Sequence, residues 1–363
     1  MKRKLLLFLL VSLWVTPFSW TGQGFGKNKD LTVTTMTQNM FPGANLDPIL
    51  SAGSDFDLSQ AAAAIASQVI ASNIPGRAAL VAAEIAENQA DLVALQEATK
   101  WKFKSGHGMI VLDQLDLLMD ALKKAGQHYR VAAVQELTDV QIKGLISYTD
   151  RDAILVRTDR PLNVVGSETH LFDAESLLSF SFMGGTIQVL RGWMAVDVKL
   201  RGSRFKFVNT HLESPLPEPP DALAYTQYLQ FLQAQQLVSE LSAASIPIIL
   251  AGDFNSAADS TGQYPADETP SYSLLVAPIQ LGGGGYADPW HELNGTEPGY
   301  TWPLVGLDPS GNVFFPNPFE RIDLILSNGP DAFSMKTIGT DFSVFPASDH
   351  AGVIAMFQLA DPR

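Results

Sequence analysis

The sequence predicts an α+β fold, and three observations carry that expectation. Segments with the two-residue period of half-buried strands outnumber those with helical period. The two kinds are interspersed without the regular alternation of a simple parallel α/β chain. Hydrophobic residues make up 46% of the 363 residues, ample for one large core or two modest ones. Cysteine is absent, so disulfides, thiol catalysis, thiolate metal sites and a bacterial lipid anchor on cysteine are all excluded.

Taken in order, the chain begins with Lys2-Arg3-Lys4 and the apolar run LLLFLLVSLWV. This run is short for a membrane span and fits a secretory signal peptide over about residues 1–24, with a retained N-terminal anchor as the alternative. An exported protein, periplasmic or extracellular, is the expectation. The segment LTVTTMTQN reads as a first strand, and residues 42–75 as an Ala/Gly/Ser-rich insertion with a helix around LSQAAAAIASQVI. RAALVAAEIAENQ has the pattern of an amphipathic helix, and ADLVALQE that of a strand whose Val93, Leu95, Glu97 face ends in a carboxylate. A helix over roughly 109–125, a strand about Tyr129–Glu136 and the strand RDAILVR follow, then an uneven stretch over 160–190. Paired strands about 192–210, a proline-rich turn, a helix near 221–243 and the strand IPIILAGDFN lead into loops rich in Gly and Pro. RIDLILS and SDHAGVIAMF close the pattern, and no linker is long enough to divide a single domain over 31–360.

Several strands end in an unexpected way. Phe205, Phe207, Asn209 and His211 share one face, so an apolar stripe terminates in an amide and an imidazole. Burying such groups without partners costs about 1–3 kcal/mol each. The same oddity recurs at Asn39, Glu97, Asp253 with Asn255, Asp323, and Asp349 with His350. Singly, each reads as a turn residue, a cap or a satisfied core histidine. Together they form a set of oxygen donors suited to Mg²⁺, Mn²⁺ or Ca²⁺, with two histidines for acid-base work at a phosphate. No H-E-x-x-H, G-x-S-x-G or Walker A pattern offers a competing mechanism.

The ordered series QN, LQE, NTHLE, GDFN, RIDLIL and SDHAGV resembles the endonuclease/exonuclease/phosphatase superfamily across about residues 31–359. The resemblance implies a four-layer α/β/β/α sandwich, with two mostly antiparallel or mixed sheets packed face to face and helices outside, the deoxyribonuclease I-like fold. It implies Glu97 as principal metal ligand with Asn39 nearby and Asp349 in support. Asp253 and Asn255 would position the attacking water or a second metal, Asp323 and His350 would pair, and His211 would meet the scissile phosphate. An acidic residue supporting His211 is implied in YTDRDAILVR, where Asp150 fits by alignment and Asp152 is a rival. Asn209, Arg151, Asp288 and Trp302 are candidates for substrate contact.

The expected activity is divalent-metal-dependent hydrolysis of a phosphoester, most simply a small organic or lipid-type phosphodiester, by a monomer in transient contact with lipid. A net charge of -14, more negative still without the three basic residues of the leader, disfavours a nucleic-acid partner. A deoxyribonuclease-like nuclease is the enzymatic alternative, and a non-catalytic binding protein on the same fold is the alternative of another class.

Overall fold

The computed structural model describes residues 31–362 except 47, 49–53, 107, 143, 183–184, 217–219, 259–269, 308–312 and 342–345. The leader expected at 1–24 lies outside the described residues. So does His107.

Two large sheets face each other. The first runs in the order β16 (Asp331–Ile338), β17 (Gly352–Gln358), β1 (Thr32–Asn39), β2 (Leu92–Gln96), β6 (Ile146–Arg157), β3 (Lys100–Ser105), β4 (Gly108–Asp113). The long strand β5 (Tyr129–Ile142) also pairs with β6. The second runs β15 (Asp323–Asn328), β12 (Ile248–Asp253), β11 (Ser203–His211), β10 (Gly192–Leu200), β7 (Leu162–Leu171). Two small hairpins stand apart, β8 (Ser179–Phe182) with β9 (Gly185–Gln188), and β13 (Gly306–Leu307) with β14 (Val313–Phe314). β1 with β2 and β11 with β12 are parallel, and the other pairs antiparallel, so both large sheets are mixed.

Side chains alternate across each sheet as the pleat requires. Val33, Ile154, Val196, Phe205, Phe207 and Phe357 fill the space between the sheets. Their neighbours point outward. Val93, Leu95 and Leu155 meet Val81 and Ile85 of α2 (Ile74–Asn88) and Leu118 and Leu122 of α3 (Gln114–Lys124). On the far side, Val208, Leu250 and Leu326 meet Ala234, Leu237 and Leu241 of α4 (Pro220–Leu241). This is the four-layer sandwich expected above. The helix of the insertion, α1 (Asp55–Ala71), packs Leu58, Ile65 and Val69 against Trp101, Phe103 and Ile146 beside the first sheet. Two short helices, α5 (Pro270–Val276) and α6 (Trp290–Asn294), lie among the later loops. No single helix among the described residues is long and apolar enough to cross a membrane.

Two local expectations are corrected. The helix expected from about 109 starts at Gln114, because Gly108–Asp113 is a strand paired with β3 and Asp113 caps the helix by accepting from the Asp116 N–H. Ile110 and Val111 favour that strand. The strand expected to end at Glu136 continues to Ile142, opposite β6.

Asn209 shows how the buried amides of the strand ends are satisfied. Its Nδ2 donates to the carbonyls of Leu95 and Ala153 in the opposite sheet, and its Oδ1 accepts from Gln96 Nε2 at 2.6 Å. One side chain therefore pins β11 to β2 and β6. Asn209 is a clamp between sheets with no exposed surface, and the substrate contact expected of it is corrected on that ground. Asn209→Ala strands several buried polar groups, at about 1–3 kcal/mol each. Urea unfolding in the presence of a chelator should show a loss of at least about 2 kcal/mol.

Candidate active site

The register of the second sheet places the site. Gly192 lies opposite His211, His211 opposite Asp253, and Asp253 opposite Asp323, a single row across four strands at one end of the sandwich. Two glycines make the row possible. A Cβ on Gly252 would lie 2.0 Å from the Thr210 carbonyl oxygen, and one on Gly192 would lie 2.2 Å from that of His170. Any larger residue at either position would push neighbouring strands apart where the site forms.

Over this row lies a cavity of about 250 Å³ lined by Glu97, Arg191, His211, Asp253, Asp349 and His350. Phe41, Asn255 and Trp302 complete the part of its wall that matters here. His350 Nδ1 is 2.8 Å from Asp323 Oδ2, and Asp253 Oδ2 is 3.8 Å from the same nitrogen. Burial disfavours the imidazolium, but Asp323, then Asp253 and Asp349, outweigh it and raise the His350 pKa well above the usual histidine value. Its neighbours therefore favour the protonated ring.

His211 is shifted in the opposite direction. Arg191 Nη1 sits 2.8 Å from its Nδ1 and 3.0 Å from its Nε2. A guanidinium only donates, so the ring nitrogen it addresses must carry a lone pair. Burial, then Arg191 and His350, hold the His211 pKa well below the usual value, in agreement with that geometry. Asp253 Oδ2 lies 3.6 Å from His211 Nε2.

Asp253 is fixed on both oxygens. Oδ2 accepts from Asn39 Nδ2 at 2.9 Å, and Oδ1 accepts from the Asn255 backbone N–H at 2.9 Å. Burial and then Asp323 push its pKa up to about 6. Asn39 Oδ1 accepts from the Phe41 N–H. That amide orients Asp253 with one end and the loop after β1 with the other, and retains one oxygen lone pair. Asn255 adopts φ +47° and sends its Nδ2 to the Leu212 carbonyl.

Glu97 reaches the cavity by a different route from the one its spacing suggested. Val93 and Leu95 face the helices, and β2 ends at Gln96, whose side chain turns inward to Asn209. Glu97 then takes φ +54°, leaving the strand's alternation altogether. Its pKa is driven well above the usual value by burial, then by Asp349 and Asp150. Asp349, likewise raised by burial, accepts from Ser348 Oγ.

Of the two carboxylates proposed to support His211, neither pairs with it directly. Asp152 accepts from the Glu97 backbone N–H, and Arg191 is the principal charge acting on Asp150. Oδ1 of each is buried without a hydrogen-bond partner, as is Asp323 Oδ1. Arg151, proposed as a substrate contact, points away: its Nε donates to Ala98 O and its Nη2 pairs with Asp113. Asp288 is also corrected. Its carboxylate is held by Tyr272, Arg321 and the Trp290 N–H, outside the cavity. Trp302 does line the cavity, its ring 6.4 Å from that of His350.

Two cations were missed in the sequence. Arg191 is buried among Glu213, Asp150, Glu97 and Asp152, and although burial opposes its charge, Glu213 and the others raise its pKa. Arg77, at the start of α2, donates to the carbonyls of Ser72, Met40 and Phe41 from beneath Glu97 and Asp349.

The donor set fits a hard divalent cation. Glu97 and Asp349 line one cavity, burial raises the proton affinity of both, and Asp349 raises that of Glu97 further, the condition a bound cation relieves. Asp253, Asp323 and His350 also bring ligand atoms within 4.8 Å of one another. The proton on His350 Nδ1 favours reading that trio as a charged hydrogen-bonded cluster, with the carboxylates as its metal-capable part.

A profile of the Endonuclease/Exonuclease/phosphatase family matches residues 70–350, and the chain belongs to that family. The family's members are phosphoesterases or nucleases, usually metal-dependent hydrolases of phosphoester bonds. Among solved structures, the chain is similar to the endonuclease/exonuclease/phosphatase from Beutenbergia cavernae DSM 12333, with 20% identity over 92% of this chain and 72% of the other and a TM-score of 0.56. It is similar to the Bacteroides vulgatus endonuclease/exonuclease/phosphatase at 16% identity over 91% and 99%, with a TM-score of 0.53. It is also similar to the human Nocturnin catalytic domain with bound sulfate, at 17% identity over 91% and 95% and a TM-score of 0.51. At such identities the likeness shows the fold. No curated protein matches the sequence.

A pH profile tests the assignment of charges. Activity that needs Asp253 ionised and His350 protonated rises through about pH 6 and falls on the alkaline side, as the raised His350 pKa is passed. Asp323→Asn removes the largest influence raising His350, so the alkaline limb of kcat/KM should move to lower pH. An unmoved limb would separate His350 from that titration.

Proposed function

We propose that the protein is a divalent-metal-dependent phosphodiesterase acting on a small organic or lipid-type diester. The observation that carries this reading is the pair of imidazoles lining one cavity, His350 Nδ1 2.8 Å from Asp323 Oδ2 and His211 Nδ1 2.8 Å from Arg191 Nη1, surroundings that push their pKa values in opposite directions. Such a pair suits a reaction in which one proton is taken and another given.

Glu97 and Asp349 would hold the cation, with Asn39 beside them. When bound, a hard cation such as Mg²⁺ or Mn²⁺ lowers the charge on the phosphoryl group and favours attack by water. The chain's own groups account for the remainder. Asp253, its pKa near 6 and its orientation set by Asn39 and Asn255, takes a proton from the attacking water. Arg191 and the His211 N–H face the phosphoryl oxygens. As the bond from phosphorus to the ester oxygen breaks, His350 supplies the proton that the leaving oxygen needs.

Chelation should abolish hydrolysis of bis-p-nitrophenyl phosphate, and Mg²⁺ or Mn²⁺ should restore it better than Zn²⁺. Glu97→Gln should weaken metal binding while circular dichroism stays unchanged. Hydrolysis that survives exhaustive chelation sinks the metal-dependent reading.

The choice of a small or lipid-type diester over nucleic acid rests on charge and on exposed aromatic surface. Net charge is -14, and the end of β14 beside the cavity carries Phe314 and the adjoining Phe315, each about half exposed (50% and 54%). Phe314 lines a cleft with Trp302, Pro303, Phe319 and Asp349 that leads to the site. Export from the cell, read from the leader, accords with a substrate met at a lipid surface. Replacing both Phe314 and Phe315 by Ser should raise KM for a micellar diester several-fold and spare a soluble chromogenic one. Equal effects on the two, with efficient cleavage of plain DNA by the wild type, would decide for a nuclease.

A further inference from the structure

A second recess opens from the catalytic cavity on its other side. It measures about 190 Å³ and shares Pro42, Glu97 and Arg191 with the cavity already described. Its wall joins one end of the first sheet to a hairpin outside both large sheets. Trp101 comes from β3, Val140 and Tyr148 from the extended ends of the β5–β6 hairpin, and Phe180 and Ile187 from the β8–β9 hairpin, with Val189 just beyond. Of the stretch over 160–190, Leu162–Leu171 is a strand of the second sheet, and the β8–β9 hairpin brings Phe180 and Ile187 to the recess.

The geometry points to this recess as the subsite for an apolar, ring-sized ester group of the substrate, the group that stays on the phosphate when the other ester bond is cut. The inference rests on the phosphodiesterase reading above. Three observations favour that occupant. The recess meets the catalytic cavity at Glu97 and Arg191, so a group within it can be joined directly to a phosphate held there. Its volume is of the scale at which an apolar protein cavity accepts a benzene-sized molecule. Its wall is mostly apolar: apart from Glu97 and Arg191, shared with the catalytic cavity, its polar groups are the Tyr148 hydroxyl, Asp150, on which Arg191 is the principal charge, and Thr138, whose Oγ1 accepts from the Leu190 N–H, while Trp101 Nε1 donates to the Pro42 carbonyl.

That last point separates a hydrocarbon or phenyl group from a nucleobase. A base would bring several donors and acceptors, for which the wall away from the catalytic cavity offers the Asp150 carboxylate and the Tyr148 hydroxyl, and each bond left unmade costs about 1–3 kcal/mol. The rings of Trp101 and Tyr148, with centroids 4.7 Å apart, and the side chains of Val140 and Ile187 supply dispersion contacts instead. The phosphate then lies beside Arg191, with its leaving group directed toward His350.

Two diesters with the same leaving group test this, phenyl p-nitrophenyl phosphate and methyl p-nitrophenyl phosphate, assayed with Mg²⁺. The wild type should favour the phenyl diester in kcat/KM by roughly ten- to a hundredfold, the range expected for burying one ring. Phe180→Ala and Ile187→Ser lie on the outer hairpin and should keep the fold by circular dichroism. They should cut the phenyl preference to within about threefold while the methyl diester changes little. No preference in the wild type overturns the subsite, and so does a preference that both variants leave intact. If neither diester is hydrolysed, the phosphodiesterase reading has failed. The subsite is then judged by calorimetry with phenyl methylphosphonate against methyl methylphosphonate: tighter binding of the phenyl compound, lost in Phe180→Ala, supports it, and equal binding overturns it.

Discussion

Everything at the site depends on the register of the second sheet. Because residues directly opposite on neighbouring strands share a face, pairing His211 with Asp253 and Asp253 with Asp323 brings an imidazole and two carboxylates into one row. A slip of one residue would turn each of them to the other face. The row holds because Gly192 and Gly252 allow backbone to approach backbone where a methyl group would collide. The other sheet then needs only to be set against it correctly, and the amide of Asn209 does this by bonding to Leu95, Ala153 and Gln96 together.

Concentrating acid groups at the end of a dry sandwich has an electrostatic consequence. Glu97, Asp150, Asp152, Asp253 and Asp349 all have their pKa values raised by burial. Arg191, Arg77 and the imidazolium of His350 offset only part of that charge. The imbalance is a property of the folded chain before any substrate arrives, and it makes the site a sink for cations. The same field splits the two histidines, since His350 faces three carboxylates while His211 faces a guanidinium.

Much of this was legible in the sequence, for a definite reason. Apolar strands that stop in Asn, Asp, Glu or His violate the ordinary rule for buried faces, and the stripe from Phe205 to His211 runs as its two-residue period requires. Glu97 was found for the wrong reason: its face was read by alternation, yet a left-handed turn carries it into the cavity. Arg191 and Arg77 left no comparable signal, because a lone arginine beside a strand or on a helix reads as a solvated residue until the fold buries it. Arg151 and Asp288 erred in the opposite sense. Each is polar and adjacent in sequence to residues of interest, but its partners, Asp113 and Arg321 respectively, come from elements that local pattern cannot place. The strand at Gly108–Asp113 was hidden similarly, since a short apolar run joined to a helix takes its identity from pairing with β3.

Glu97 and Asn255 share one backbone peculiarity with a consequence for how the protein tolerates change. Both hold left-handed conformations, at φ +54° and +47°, in a region that glycine enters far more readily than residues with a Cβ. From such corners Glu97 sends its carboxylate into the cavity and Asn255 aims its backbone N–H at Asp253 Oδ1. Replacement by glycine would relax the main chain and remove the carboxylate or amide in the same step. Glycine at either corner would therefore ease the backbone while stripping the cavity wall of a polar group, so firmness of the fold and polarity of the wall are set against each other at these two positions.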